Sequence, residues 1–146
     1  MKPEEKETLI KRLIVNYMKY LKSNRDSFLA RIYGIYTVTK TGSAPVHLLV
    51  MANVCQVSSS QNVTAIYDLK GSLYKRIVYL KESLGKRDYT LKDLNFLKEY
   101  KNPLAGLHFS QIIQILHVLK EDSNFCASQN LMDYSLLICI EDLSRS

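Results

Sequence analysis

Asp68 and Lys70 stand two apart in Ile66-Tyr67-Asp68-Leu69-Lys70-Gly71-Ser72-Leu73-Tyr74-Lys75-Arg76, a stretch that opens apolar, stops at an acid and ends on two adjacent cations. Residues two apart on an extended chain share a face. A strand ending here would therefore put the carboxylate and the ammonium on one side, and Gly71 would let the backbone turn at once. A carboxylate so placed can accept a proton from a hydroxyl, while a neighbouring ammonium neutralises charge on a phosphoryl group in transfer. The pattern is half of a phosphoryl-transfer site. The same letters also describe a solvated Asp and Lys in a surface turn, and spacing alone leaves both readings open.

Several elements must hold such a turn in place. Residues 63–67 lead into it as a strand after the polar loop 58–62. Upstream, residues 3 to about 22 repeat Leu9, Ile10, Leu13, Ile14, Tyr17, Met18 and Leu21 at three- and four-residue spacing, which predicts an amphipathic helix. Pro3 suits its first turn, and Glu4 and Glu5 complement its dipole. A packed helix is favoured over one lying on a membrane surface. Residues 28–39 are rich in β-branched and aromatic types, residues 40–45 form a turn cluster, and residues 46–51 are apolar again, which predicts a β-hairpin. Downstream comes Ile77-Val78-Tyr79-Leu80, then a charged segment 81–88 containing Gly85. Asp93 follows, read as beginning a helical turn or holding the loop through backbone hydrogen bonds. Residues 101–106 form a further turn. Residues 109 to about 124 predict a second helix, with Phe109, Ile112, Ile113, Leu116 and Lys120 on one stripe. Ile115, Val118 and Leu119 widen its apolar surface enough to suggest burial on more than one side. Residues 134–140 fit a strand. His117 has no partner at metal-ligand spacing, and His47 reads as an ordinary strand residue.

With 146 residues, 47% of them hydrophobic, the chain can bury roughly two thirds of its surface in one domain-sized core. No run approaches the ~18 apolar residues of a membrane span, and Met1-Lys2-Pro3-Glu4-Glu5-Lys6 has no signal-peptide core, so a soluble intracellular chain is expected. Cys55, Cys126 and Cys139 are odd in number, widely spaced and set among apolar or small residues. They read as buried free thiols and make no metal motif. The net charge of +6 favours a polyanion. No aromatic-interleaved basic motif is present, so an anionic membrane face is preferred over nucleic acid.

Tyr67-Asp68-Leu69-Lys70-Gly71-Ser72, the following Tyr74-Lys75-Arg76, and Met132-Asp133-Tyr134-Ser135-Leu136-Leu137 resemble the phosphatidylinositol phosphate kinase family. Lys92-Asp93-Leu94-Asn95-Phe96 is similar to a further run of that family, and the likeness extends from the first helix to Glu141. It implies an α+β fold, an antiparallel sheet with packed helices, corresponding to the lobe junction and catalytic core of a two-lobed lipid kinase. It also implies transfer of the γ-phosphoryl of ATP, with Mg2+, to an inositol ring hydroxyl. The Tyr-Lys-Arg run is closer to phosphatidylinositol 4-phosphate 5-kinases, with phosphatidylinositol 4,5-bisphosphate as product, than to the other branches. By the same resemblance Asp68 orients or deprotonates the hydroxyl and Lys70 steadies the phosphoryl. Arg76 assists with anionic headgroup or loop phosphates, and Asp133 orients catalytic-loop groups or caps the turn before its strand. Met51, Ala52, Asn53 and Val54 form an adenine-facing hinge. The implied partners are a phosphatidylinositol phosphate lipid and an anionic membrane, and the implied location is cytoplasmic, peripheral at the inner face of the plasma membrane. The family's Gly-rich loop and ATP-binding lysine precede the matching region, and its metal-binding aspartate and activation loop follow it. Residues 1–146 are therefore expected to be a partial kinase domain without a metal ligand of its own, with exposed hydrophobic surface and little or no activity in isolation. A non-catalytic relative that binds either phosphoinositide membranes or a full-length kinase is the alternative. Lipid preference and oligomeric state have no signal in these residues.

Overall fold

A computed structural model describes residues 2–56, 62–80, 89–99 and 106–141. The chain divides into two compact units, residues 1–53 with 109–131 and residues 54–108 with 132–146, where a single core was expected. Two separate buried clusters account for the division.

The first unit opens with a helical run: α1 (Pro3–Thr8), a π-helical turn (Leu9–Leu13) and α2 (Ile14–Ser23). Pro3 occupies the first turn as expected, and the Lys2 N–H donates to the Glu5 carboxylate at 2.7 Å, which caps the start. Within the run the Ile14 N–H reaches the Leu9 carbonyl five residues back, a π turn that the periodicity did not reveal. The hairpin follows as β1 (Ile32–Val38) and β2 (Val46–Met51), antiparallel, with Val38 opposite Val46 and Tyr36 opposite Leu48. Its turn carries Gly42 at φ 78°. Residues 28–31, expected to extend β1, are not strand because side chains take their backbone groups. Asp122 accepts the Phe28 N–H (2.7 Å), and the Tyr17 hydroxyl donates to the Ala30 carbonyl (2.7 Å).

The second long helix, α4 (Phe109–Ser128), buries one stripe: Val118, Asp122, Phe125 and Cys126. The expectation of burial on more than one side fails here. Phe109, Ile113 and Leu116 form a second stripe at the same three- and four-residue spacing, and they stay 73%, 51% and 52% exposed. Phe125 stacks on Tyr20 with ring centroids 4.3 Å apart, and Cys126 and Tyr17 complete the buried cluster. Asp122 locks this unit through its carboxylate, which accepts the hydroxyls of Tyr20 (2.8 Å) and Ser27 (2.6 Å) as well as the Phe28 amide.

The second unit is a three-stranded sheet in the order β4 (Thr90–Leu91), β3 (Val63–Leu69), β5 (Leu136–Glu141), with α3 (Asp93–Glu99) following β4. β3 pairs antiparallel with β5 but parallel with β4, so the sheet is mixed where an antiparallel one was expected. Alternation turns Ala65 and Tyr67 into the core beside Leu91, with Phe96 of α3 edge-on to Tyr67 at 5.2 Å. β5 starts at Leu136, two residues later than expected, after Asp133 takes a left-handed turn at φ 60°. Cys126 is buried, and Cys55 and Cys139 are half-buried thiols. Burial, and a hydrogen bond with Cys55, push the Cys139 thiol up to about 11. The predicted charged segment 81–88 and most of the loop 58–62 and turn 101–106 lie outside the described residues. Among those described, no helix is long and apolar enough to cross a membrane.

Candidate functional site

The alternation that buries Tyr67 places its neighbour Asp68 on the opposite face at the end of β3. The chain then turns through Gly71 at φ 68°, a conformation in which any side chain would be strained. Asp93, on the first turn of α3, gathers this turn. Its Oδ1 accepts the backbone N–H of Lys70 (3.0 Å) and of Gly71 (2.8 Å), and its Oδ2 accepts Arg76 Nε (2.7 Å). Arg76 Nη2 in turn donates to the Asp68 carbonyl and to Asp68 Oδ1, the latter at 3.0 Å. Two residues further along α3, Asn95 Oδ1 accepts the Val78 N–H (2.8 Å) and its Nδ2 donates to the Val78 carbonyl (2.8 Å). The Leu94 N–H donates to the Arg76 carbonyl at 2.9 Å. The turn after β3 is thus stitched along its length to the start of α3.

Two kinds of ion pair sit side by side. Arg76 and Asp93 are 11% and 9% exposed, whereas Lys70 Nζ meets Asp133 Oδ1 at 3.2 Å with the Asp133 side chain 88% exposed. Burial pushes the Asp93 carboxyl up, but Arg76 and the backbone amides outweigh it and hold it below the usual carboxylate range. The Arg76 guanidinium is raised, chiefly by Asp93 and against burial, with Asp68 adding to it. An exposed pair such as Lys70–Asp133 contributes little and exchanges readily. Around it Leu73, Tyr74 and Met132 are 63%, 76% and 86% exposed, and Lys75, itself left-handed at φ 55°, lies 5.1 Å from the Tyr74 ring centroid.

The second unit therefore brings together Asp68, Lys70, Arg76 and Asp133, all singled out from sequence. Asp68 and Lys70 do not pair with each other; Arg76 holds the first and Asp133 meets the second. Arg76, expected to face anionic groups, is instead committed to Asp68 and Asp93, and binding a phosphate would require those bonds to be exchanged. Of the expected hinge, Met51 ends β2, the Ala52 N–H donates to the Arg31 carbonyl at 2.7 Å, and the division between units falls between Asn53 and Val54. Asn95 was read from sequence only as part of the Lys92-Asp93-Leu94-Asn95-Phe96 run and was given no role; its position two after Asp93, at the start of a helical turn, was the available signal. Two hollows, of about 160 Å³ beside Asp122 and about 300 Å³ beside Tyr17, touch none of these residues. Among the described residues no three His, Cys, Asp or Glu side chains converge to hold a metal ion.

The family model described as Phosphatidylinositol-4-phosphate 5-Kinase matches residues 1–146. A chicken (Gallus gallus) phosphatidylinositol 4-phosphate 5-kinase type-1 beta is 35% identical over 94% of this chain and 24% of its own length. The fission yeast (Schizosaccharomyces pombe) phosphatidylinositol 4-phosphate 5-kinase its3 is 28% identical over 93% of this chain and 18% of its own. An Arabidopsis thaliana protein named as a 1-phosphatidylinositol-3-phosphate 5-kinase is 36% identical over 86% of this chain and 9% of its own. The chain spans about a quarter or less of the length of these relatives. Identities of 35% and 36% do not rank the 4-phosphate branch above the 3-phosphate branch.

Proposed function

Because the chain belongs to the phosphatidylinositol 4-phosphate 5-kinase family, we propose that it supplies part of the catalytic machinery of a lipid kinase. The reaction is transfer of the γ-phosphoryl group of ATP to a ring hydroxyl of a phosphoinositide, with phosphatidylinositol 4-phosphate as substrate. The work takes place in the cytoplasm, at the inner face of the plasma membrane. The contrast between the two cations at the turn after β3 carries this reading. Arg76 is locked between two carboxylates, while among the described residues the Lys70 side chain meets the exposed Asp133. An incoming phosphoryl group can replace Asp133 as the counter-ion of Lys70 at small cost, which leaves an ammonium where charge develops in transfer. Asp68, oriented by Arg76, accepts or orients the hydroxyl proton. Asp133 is the second candidate for that role, favoured by its exposure of 88% against 32% for Asp68. Met51, Ala52, Asn53 and Val54 meet the adenine.

ATP brings Mg2+ to such a reaction and the ion screens phosphate charge. The described residues do not fit an ion site by themselves, because Asp68 and Asp133 are each already paired with a cation and no third ligand converges with them. What these side chains contribute is orientation and charge.

The test is turnover of phosphatidylinositol 4-phosphate by the protein purified from its own cells and by single variants of it. Lys70→Met and Asp68→Asn should each lower kcat by about 100-fold or more. If Asp68→Asn turns over normally and Asp133→Asn does not, the proton role passes to Asp133. If both carboxylate variants keep wild-type turnover, the site assignment is wrong. A second reading, a non-catalytic module binding phosphoinositide membranes or a full-length kinase, is favoured by the exposed Leu73, Tyr74 and Met132 beside Lys70 and Lys75. That module would bind anionic vesicles without ATP and gain no thermal stability from Mg-ATP.

A further inference from the structure

We infer that Asp93 is the positioning residue of this site: one carboxylate on the first turn of α3 sets the place of Asp68 and Lys70 without touching either side chain. The inference rests on the catalytic reading of Asp68 and Lys70 given above.

The turn after β3 has reason to wander. It contains Gly71 and a left-handed Lys75, and each residue fixed in one backbone conformation gives up conformational entropy. Asp93 opposes this with both oxygens. Oδ1 takes two successive amides, those of Lys70 and Gly71, which fixes the peptide from which the Lys70 side chain departs toward Asp133. Oδ2 takes Arg76 Nε, and Arg76 passes the constraint on to the Asp68 carbonyl and carboxylate through Nη2. The bracket is itself anchored. α3 packs Phe96 against Tyr67, a fully buried residue of β3, and Leu91 of β4 lies in the same cluster. Asn95, 8% exposed, fastens the far end of the turn at Val78, so the loop is tied at its start by Asp93 and at its finish by Asn95.

The two arms of Asp93 can be separated by substitution. Asparagine keeps an oxygen for the Lys70 and Gly71 amides but turns an NH2 group toward Arg76 Nε, donor against donor. Alanine removes both arms. In the whole chain, followed by NMR amide exchange, Asp93→Ala should raise the exchange of Lys70 and Gly71 at least about tenfold while Ile66 and Tyr67 of β3 stay protected. Asp93→Asn should leave those two amides protected and instead expose the Arg76 Nε–H, seen as faster exchange of its side-chain resonance. Unchanged exchange of Lys70 and Gly71 in Asp93→Ala overturns the inference. Should that variant lose protection across β3, the Asn variant decides alone, and an Arg76 Nε–H that remains protected there overturns it. In a turnover assay Asp93→Asn should lower kcat and leave the KM for ATP unchanged, with partial recovery in Asp93→Glu. The exchange result does not depend on catalysis, so the bracket is judged by it alone, while wild-type turnover in both the Asp68→Asn and Asp133→Asn variants would count against the site assignment.

Discussion

At the scale of single residues the site depends on a carboxylate kept charged inside the protein. Asp93 has a folded pKa below the unfolded value of about 3.9, because Arg76 and two amides outweigh its desolvation. Its contribution to stability is therefore present above that unfolded value and fades as pH falls through the lower folded one. Acidification from pH 6 should leave the exchange of the Arg76 Nε–H unchanged down to about pH 4 once corrected for intrinsic rates, and then speed it. Asp93→Asn should abolish the acid limb, and an acid limb of the same size in that variant would rule out Asp93 as its source. Gly71 gives a second prediction. A methyl group there meets nothing within 4 Å, so Gly71→Ala should cost only the left-handed backbone penalty of about 1–2 kcal/mol in a denaturant titration. Asp68, Lys70 and Gly71 were legible because they are neighbours in sequence and their chemistry is local. The bracket was legible only as a general structural role for Asp93. Its partners lie 17 to 23 residues away, and no periodicity encodes a hydrogen bond over that separation.

At the scale of elements, what could be read was periodicity and what could not was partnership. Helical spacing gave the α1–α2 run and α4, and β-branched runs gave the hairpin and β3. β4 is two residues long and borders on α3, too short for an alternating pattern, so the parallel pairing that makes the sheet mixed left no trace. α4 shows two apolar stripes of equal spacing, and sequence alone could not tell which would be covered. Its C-terminus makes a prediction of its own. Leu131 N–H reaches the Cys126 carbonyl (3.0 Å) and Asn130 N–H the Ala127 carbonyl (3.0 Å), a Schellman ending with Asn130 left-handed at φ 55°. Asn130→Gly should stabilise the first unit by up to about 1 kcal/mol, measured as a raised denaturation midpoint with unchanged slope. Asp122 gives the opposite sign. Tyr20→Phe removes one of its three donors and should cost about 1 kcal/mol. Asp122→Ala strands the Tyr20 and Ser27 hydroxyls and the Phe28 amide together and should cost about 3 kcal/mol.

At the scale of the whole molecule, charge and exposed apolar groups make different demands on a membrane, and the two can be told apart. A net charge of +6 attracts anionic lipid over a distance set by the Debye length, about 10 Å at 0.1 M salt, and each cation close to the surface contributes about 1 kcal/mol. Binding by charge alone should therefore fall steeply as salt rises. Leu73 and Tyr74 project at the turn that carries Lys70 and Lys75, with exposures of 63% and 76%. Burying them in the interface would add an apolar contribution that salt does not screen. Vesicles containing phosphatidylserine, titrated with the protein at about 50 and 200 mM salt, separate the two contributions. If this turn enters the interface, Leu73→Ser with Tyr74→Ser should weaken binding about tenfold or more at both salt concentrations and leave the salt slope unchanged. Lys75→Ala should flatten the slope while removing less affinity at high salt. Equal binding by the wild type and the double serine variant would mean that the turn stays out of the bilayer. Membrane attraction would then belong to the diffuse positive surface, and the turn after β3 would stay above the lipid plane.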